Sequence, residues 1–147
     1  IWRAAANPVL VTPMPGDDSP LAGFSSGRPW LPIADAHRAK AVQRQDADPD
    51  STLNATRRFL QWRKSMRALE LGGIEFVEAP EPVLAFKRTL GGECLLAVFN
   101  LSPRAVEWHM PAGLQARPLQ GHGLLSGEVA GDTLHLPGHA VYYARLD

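Results

Sequence analysis

The sequence from Asp48 to Gly73 reads DPDSTLNATRRFLQWRKSMRALELGG, and at this stretch the character of the chain changes. Asp50 or Ser51 can cap a helix start, because short polar side chains accept hydrogen bonds from the free amides there. An apolar stripe follows at helical spacing and consists of Leu53, Phe59, Leu60, Trp62, Met66 and Leu69. The glycine pair at 72–73 supplies a stop. The pattern predicts one long helix over 51–69.

Residues 1–50 are rich in Pro, Gly, Asp and Ser. Each proline removes a backbone donor and restricts the residue before it, which disfavours long helices and central strands. The segment nevertheless carries apolar side chains that would anchor an irregular chain onto another surface: Trp2, Leu10, Met14, Phe24, Trp30, Leu31 and Ile33. We therefore expect an irregular segment with one short helix over 35–45.

After Gly73 the apolar period changes from 3.6 to 2, which is typical of strands. The predicted strands cover 74–78, 83–88, 94–101, 105–110, 115–119, 124–129, 133–136 and 140–145, with a hairpin turn at 90–93. The segment 94–101 is apolar on both faces and should be central, whereas 105–110 should be half exposed. The predicted fold class is α+β: an irregular N-terminal segment and one long helix, followed by an antiparallel β-sandwich.

Composition excludes several classes of partner. Fifteen basic and fifteen acidic residues give zero net charge, which favours neither nucleic acid nor an anionic membrane. The longest apolar run, Leu95–Phe99, is far shorter than the ~20 residues of a membrane span.

The one cysteine, Cys94, excludes an internal disulfide and should be a small buried side chain. We expect a cytoplasmic location and leave a periplasmic one open. The start at Ile1, without Met, suggests a fragment or a processed chain.

A series of landmarks runs from Thr12 to Met66. It contains Thr12-Pro13-Met14, then AGFSSGRPWLP over 22–32, DPDSTLN over 48–54 and RRFLQWRK over 57–64. In this order and spacing the series resembles the end of the catalytic domain of the α-glucosidases in the α-amylase superfamily (glycoside hydrolase family 13, oligo-1,6-glucosidase-like). The residues after Leu71 resemble the β-domain that closes those enzymes. The resemblance implies two domains: 1–71 would end a (β/α)₈ barrel, and 72–147 would be the C-terminal antiparallel β-domain.

The resemblance also implies candidate substrate contacts at Thr12 and Met14. In the family, a loop with an Arg-Thr-Pro-Met-aromatic pattern lies beside the sugar cleft, and residues 12–14 match its centre. Val11 stands where that pattern has arginine, whose guanidinium would donate to sugar hydroxyls or a carboxylate. Gly16 or Asp17 stands where the aromatic residue is expected.

The block at 22–32 matches a loop of the family that leads to the last barrel helix. Phe24 and Trp30 would bury aromatic area there, and Gly23 and Gly27 would permit the turns. Stacking of Trp30 on a sugar ring is the alternative, which makes Trp30 the third candidate substrate contact.

The chain itself carries no residues that we expect to perform catalysis or to bind a metal. Retaining hydrolysis needs two carboxyl groups ~5 Å apart, and in the family these lie on earlier barrel strands. The acidic pairs at 17–18 and 46–48 lie in proline-rich loops, where turn and capping roles are expected. The five histidines lack a metal-ligand spacing and should be exposed or associated with turns: His37, His109, His122, His135 and His139. No cofactor is expected.

Two functions remain open. In the first, the chain is the C-terminal part of an α-glucosidase acting on α-linked glucosides. Its partner is then the N-terminal (β/α)₈ portion of the same enzyme, which supplies the catalytic carboxylates, and the chain alone is inactive. In the second, the chain is a non-catalytic β-sandwich module that binds a glucan or a protein, for which exposed Trp30 and Trp108 would be the contacts. Linkage preference, hydrolysis against transfer and oligomeric state are left open.

Overall fold

The computed structural model describes residues 14–27, 33 and 35–147 of the chain. Thr12 and Trp30, two of the three candidate substrate contacts, lie outside the described residues. The chain divides into a first unit, Ile1–Thr56, and a second unit, Arg57–Asp147, each held by its own internal contacts.

The first unit contains two short helices where the sequence predicts one. Helix α1 covers Asp35–Arg38 and helix α2 covers Val42–Ala47, so the prediction of a single helix over 35–45 is wrong. The break lies at Ala41, which is fully buried and has an extended backbone at φ −56° and ψ 144°. A new helix starts there because the first two amides of α2 donate to the carbonyl oxygens of Pro15 and Gly16, both at 2.9 Å.

The described segment before α1 is irregular, as predicted. Gly23 occupies a left-handed conformation at φ +66°, which confirms its predicted role in a turn. Phe24 is 39% exposed, so the expected burial of its ring is wrong. Polar contacts hold this turn instead: the Arg38 guanidinium donates to the carbonyl oxygens of Ser19 and Pro20.

The long predicted helix is interrupted once. Helix α3 covers Thr52–Ser65 and helix α4 covers Arg67–Leu71, with Met66 between them at φ −108° and ψ 90°. The predicted cap at Ser51 is confirmed, because its hydroxyl oxygen accepts the amide of Asn54 at 3.2 Å.

The interruption turns the end of the helix onto the sheet. A carboxylate oxygen of Glu93 accepts the amide of Ala68 at 3.2 Å, and the Ser65 hydroxyl donates to the carbonyl of Trp62 at 2.7 Å. These bonds satisfy backbone groups near the break, and α4 then buries Ala68 and Leu69. Tertiary packing therefore overrides the continuous helical pattern here.

All eight described strands lie in the second unit: β1 Gly73–Val77, β2 Val83–Leu90, β3 Glu93–Asn100, β4 Val106–His109, β5 Ala116–Pro118, β6 Glu128–Ala130, β7 Thr133–Leu136 and β8 Val141–Leu146. They form a five-stranded sheet in the order β1-β2-β3-β8-β5 and a three-stranded sheet in the order β4-β7-β6, with antiparallel pairing throughout. The predicted α+β class, the antiparallel sheets and the central position of β3 are confirmed.

One face of the five-stranded sheet shares a core with the three-stranded sheet. Residues of both sheets contribute to it, and they include Val83, Ala85, Leu96, Val98, Trp108, Leu134, Leu136, Tyr142 and Ala144. Trp108 is only 3% exposed, so the expectation of an exposed Trp108 is wrong. Trp108 is paired with Leu134 of the neighbouring strand β7, and paired residues point to the same face of a sheet. Both side chains therefore face the core.

The opposite face of the five-stranded sheet carries a second core. Ala68 and Leu69 of α4 pack with Leu95, Ala97, Val141 and Tyr143, and the rings of Phe59 and Trp62 border this cluster. Strand β3 is thus apolar on both faces because both faces are covered, as its continuous hydrophobic pattern predicts.

Two details differ from expectation. Cys94 is only partly buried, and its sulfur accepts a hydrogen bond from the Thr89 hydroxyl at 3.5 Å. The strand predicted over 124–129 is shortened to β6, because His122 binds the amide of Leu124 and holds 122–126 in a loop.

Among the helices that the structure describes, none is long and apolar enough to cross a bilayer.

Candidate functional site

Met14 is the one candidate substrate contact whose surroundings the structure describes. Its side chain is 62% exposed and lies on an open groove of about 710 Å³ in the first unit. The groove is lined by Met14, Pro15, His37, Ala39, Lys40, Gln45, Asp48, Ser51, Thr52, Leu53 and Thr56. It therefore brings the end of the Thr12–Met14 motif together with the start of helix α3.

Internal hydrogen bonds hold the walls of this groove. The Gln45 amide donates to the carbonyl of Lys40 at 2.6 Å and accepts the amide of Leu53 at 3.2 Å. The Ser51 hydroxyl donates to the Gln45 carbonyl at 2.6 Å. Because Gln45 and Ser51 are already bonded within the protein, they act as framework rather than as free ligand contacts.

The described lining of the groove does not supply the paired carboxylates of a glycosidase. Asp48 is the only acidic residue among the described lining residues, and one of its oxygens accepts the amide of Asp50 at 3.0 Å. Retaining hydrolysis requires two carboxyl groups ~5 Å apart. The groove instead offers an exposed thioether on a polar wall, which suits contact and not bond cleavage.

The acidic pair Asp17-Asp18 has the turn role that the sequence predicts. A carboxylate oxygen of Asp17 accepts the amide of Ser19 at 3.0 Å. Asp18 pairs with Arg44 at 2.7 Å, and the hydrogen bond and charge of that guanidinium hold the pKa of Asp18 below its ordinary value. Both side chains are therefore occupied in fixing the loop.

Four histidines show no convergence on one site. His109 lies 2.9 Å from the Thr133 hydroxyl, and His135 lies 3.2 Å from a Glu107 oxygen on the three-stranded sheet. His139 has φ +58°, as in a turn, and His37 lies on the groove in the first unit. In the described part of the chain, no group of three or more possible ligands has the geometry of a metal site.

His122 is buried, and it is associated with a turn, as expected, since it lies in the loop at 122–126 and binds the amide two residues ahead. Its Nδ1 accepts the amide of Leu124 at 3.1 Å, and its Nε2 lies 3.1 Å from the Ser126 hydroxyl. Burial lowers the pKa of the His122 imidazole from its ordinary value of 6.5, so the ring is neutral near pH 7.

An aromatic cluster surrounds His122, and sequence reasoning did not predict it. The rings of Trp62 and Tyr143 lie 4.9 Å apart, and each lies 5.4 Å from the His122 ring. The Trp62 indole donates to the carbonyl of Gln120 at 2.9 Å. The spacing of Phe59 and Trp62 predicts a buried helix face, but a helical pattern does not say which distant loop that face will meet.

Two family models match the chain in succession. The model described as "Alpha amylase, catalytic domain" matches residues 4–72, and the model described as "Maltogenic Amylase, C-terminal domain" matches residues 74–142. Together they account for nearly the whole sequence and meet between the last described helix and the first strand.

Two relatives agree with these matches. The chain is 42% identical over 135 residues to a probable α-glucosidase of Rhizobium meliloti (strain 1021), which covers 92% of this chain and 24% of that protein. It is 31% identical over 101 residues to an oligo-1,6-glucosidase of Parageobacillus thermoglucosidasius, covering 68% of this chain and 18% of the relative.

A solved structure agrees as well. The α-glucosyl transfer enzyme XgtA superposes on the chain with a TM-score of 0.85 and 47% identity, over 92% of this chain and 25% of XgtA. The chain therefore spans about a quarter of the length of XgtA and of the Rhizobium meliloti relative. By sequence and by fold, the chain belongs to the α-amylase superfamily, glycoside hydrolase family 13, and corresponds to the C-terminal part of its α-glucosidases.

Proposed function

We propose that this chain is the C-terminal part of an α-glucosidase that acts on α-linked glucosides, and that it does not perform the chemistry by itself. The observation that carries this proposal is the pair of successive family matches within one short chain. The relatives are described as probable α-glucosidase, oligo-1,6-glucosidase and α-glucosyl transfer enzyme, and each description names an activity on glucosides or glucosyl groups.

The two parts of the chain have separate tasks in this proposal. Residues 1–71 complete the catalytic (β/α)₈ barrel, with α3 and α4 as its last helical segment, and residues 72–147 form the β-domain. The catalytic carboxylates belong to the N-terminal barrel portion, which is the partner of this chain. The share of the relatives that the chain spans, about a quarter of their length, supports this division of labour.

Substrate contact from this chain is proposed for the loop at Thr12 and Met14 and for Trp30. The exposed thioether of Met14 supports this role, because an apolar, adaptable group can pack against the face of a sugar ring. In the enzyme formed with the barrel portion, Met14→Ala should then raise KM for a nitrophenyl α-glucoside severalfold with little change in kcat. Phe24→Ala, which changes another exposed apolar residue, 39% exposed and outside the motif, is the control.

A stand-alone binding module is the weaker proposal. Its motivating contacts were Trp30 and Trp108, and Trp108 belongs to the core between the two sheets. The described surface therefore offers no support for Trp108 as a glucan-stacking residue.

The proposal is tested by grafting. The C-terminal quarter of the Rhizobium meliloti relative is replaced with residues 1–147 of this chain, and cleavage of maltose and of a nitrophenyl α-glucoside is measured. We expect activity within about tenfold of the parent, since the graft would keep the carboxylates and restore the barrel end. A soluble, folded graft without activity would contradict the proposal.

A further inference from the structure

The face of the five-stranded sheet that packs against helix α4 contains a small charged cavity that the proposed function does not use. It has a volume of about 200 Å³ and lies entirely within the second unit, between the end of α3, helix α4 and the sheet. Two arginines and four aromatic residues line it: Arg63, Arg88, Phe59, Phe86, Phe99 and Tyr143. The cavity volume is below the ~300–1,000 Å³ typical of drug-sized ligands, so a one-ring molecule is the appropriate size.

Two guanidinium groups contribute positive charge to this cavity, and none of its described lining residues is acidic. Arg63 donates to the backbone carbonyl of Leu69 at 2.9 Å. Within the described residues, neither Arg63 nor Arg88 forms a salt bridge, and the Nε of Arg88 is buried without any hydrogen-bond partner. Arginine stays protonated in proteins, so this charge cannot be relieved by loss of a proton. An anion that enters the cavity can accept a hydrogen bond from the unpartnered Nε–H of Arg88, and this bond is charge-assisted.

Four aromatic rings, together with Leu69 and Ala97, form the rest of the wall. Phe86 stacks on Phe99 with ring centroids 5.7 Å apart, and Phe99 meets Tyr143 edge to face at 5.8 Å. Phe59 lies 6.3 Å from Tyr143. A further flat ring can join such an array by stacking or by edge-to-face contact.

Tyr143 adds a hydrogen-bond donor. Burial raises the pKa of Tyr143 to about 12, although the nearby charge of Arg63 acts in the opposite direction. The hydroxyl is therefore protonated at neutral pH and can donate to an anion.

We propose that this cavity is a binding site for a small aryl carboxylate, with the carboxylate at Arg63 and Arg88 and the ring among the four aromatic side chains. Guanidinium and carboxylate match in geometry and charge, and the aromatic walls select a flat apolar body over a bare inorganic ion. The site is independent of glucoside chemistry and does not rest on the proposed function.

The test is an NMR titration of the isotopically labelled chain with sodium benzoate at constant ionic strength. Benzamide, which has the same shape without the charge, is the matched ligand control. We expect benzoate to shift the Nε–H signal of Arg88 and the amides of β3, and to bind at least tenfold more tightly than benzamide. Equal binding of the two ligands, or binding of inorganic phosphate without benzoate, would overturn the proposal.

Variants locate the site. Arg88→Met and Arg63→Met should each weaken benzoate binding at least tenfold, and Arg104→Met, on an exposed loop outside the cavity, should leave it within twofold. Thermal melting of each variant checks that it folds. Since benzoate and benzamide are compared on the unaltered chain, the result stands even if a variant does not fold. Unchanged binding in folded Arg88→Met would refute the assignment.

Discussion

Asn100 joins the end of β3 to two loops through one buried side chain. Its amide donates to the carbonyl oxygens of Arg104, Leu136 and Pro137 at 2.6, 3.2 and 2.9 Å, and its oxygen accepts the amide and hydroxyl of Ser102 at 3.0 and 2.9 Å. The residue is 2% exposed, so water does not replace these bonds when they are lost.

Asn100→Ala should therefore lower the free energy of unfolding by about 3 kcal/mol, because buried donors and acceptors are left unpaired. Urea denaturation followed by circular dichroism measures the change. Ser102→Ala removes only the partner hydroxyl and should cost about 1 kcal/mol. Equal losses in the two variants would show that the buried amide is not the centre of this network.

His122 makes the stability of the second unit depend on pH. Burial lowers its pKa in the folded chain below the ordinary value of 6.5, so the unfolded chain binds more protons between the two values. Stability rises with pH wherever the unfolded state binds more protons. The contribution of His122 is thus complete above about pH 6.5 and is lost as the pH falls below it.

We expect the free energy of unfolding to fall between pH 7 and pH 5 more steeply in the wild type than in His122→Asn. The asparagine oxygen can still accept the amide of Leu124, but it does not titrate. Urea titrations at several pH values measure both slopes. The contributions of the other histidines are common to the two proteins and cancel in the difference between the slopes. Identical slopes would contradict the assignment.

At the scale of elements, Gly72 shows why helix α4 must end where it does. A Cβ at this position would lie 2.5 Å from the carbonyl oxygen of Ala68 and 2.8 Å from that of Thr89. The backbone of Gly72, at φ −67° and ψ 156°, is accessible to any residue, so the requirement for glycine is steric. The glycine lets the chain leave α4 and enter β1 directly beside β2.

Gly72→Ala should cost about 2 kcal/mol of stability, because backbone atoms on both sides must move. Gly92→Ala is the matched control, since a Cβ there meets nothing within 4 Å and its backbone is not left-handed. Differential scanning calorimetry of the two variants compares them. A melting temperature of Gly72→Ala equal to that of Gly92→Ala would refute the steric account.

Sequence patterns predicted where helices and strands lie better than where a helix is broken. Alternation over 133–136 and continuous hydrophobicity over 94–101 located β7 and β3 well, because sheet burial produces those patterns directly. The break at Met66 is set by Glu93, a residue far along the chain, and local periodicity does not contain that information. The burial of Trp108 depends likewise on which face of β4 meets the core.

At the scale of the whole molecule, the candidate site was only partly predictable. Met14, the last residue of the Thr12–Met14 motif, lies on the groove, and the structure adds the start of helix α3 to the same lining. The cavity at Arg63 and Arg88 was not predicted, because those residues lie on a helix and a strand whose proximity follows from tertiary packing. A chain that spans a quarter of its relatives' length also leaves the paired carboxylates to the remaining polypeptide, as we propose.

The most direct test of this account is reconstitution from two separate polypeptides. The N-terminal three quarters of the Rhizobium meliloti relative are held at fixed concentration, and residues 1–147 of this chain are added in increasing amounts while cleavage of a nitrophenyl α-glucoside is followed. We predict no activity from this chain alone, little from the N-terminal portion alone, and a saturable rise on mixing. Full activity of the N-terminal portion without this chain, or hydrolysis by this chain alone, would contradict the account.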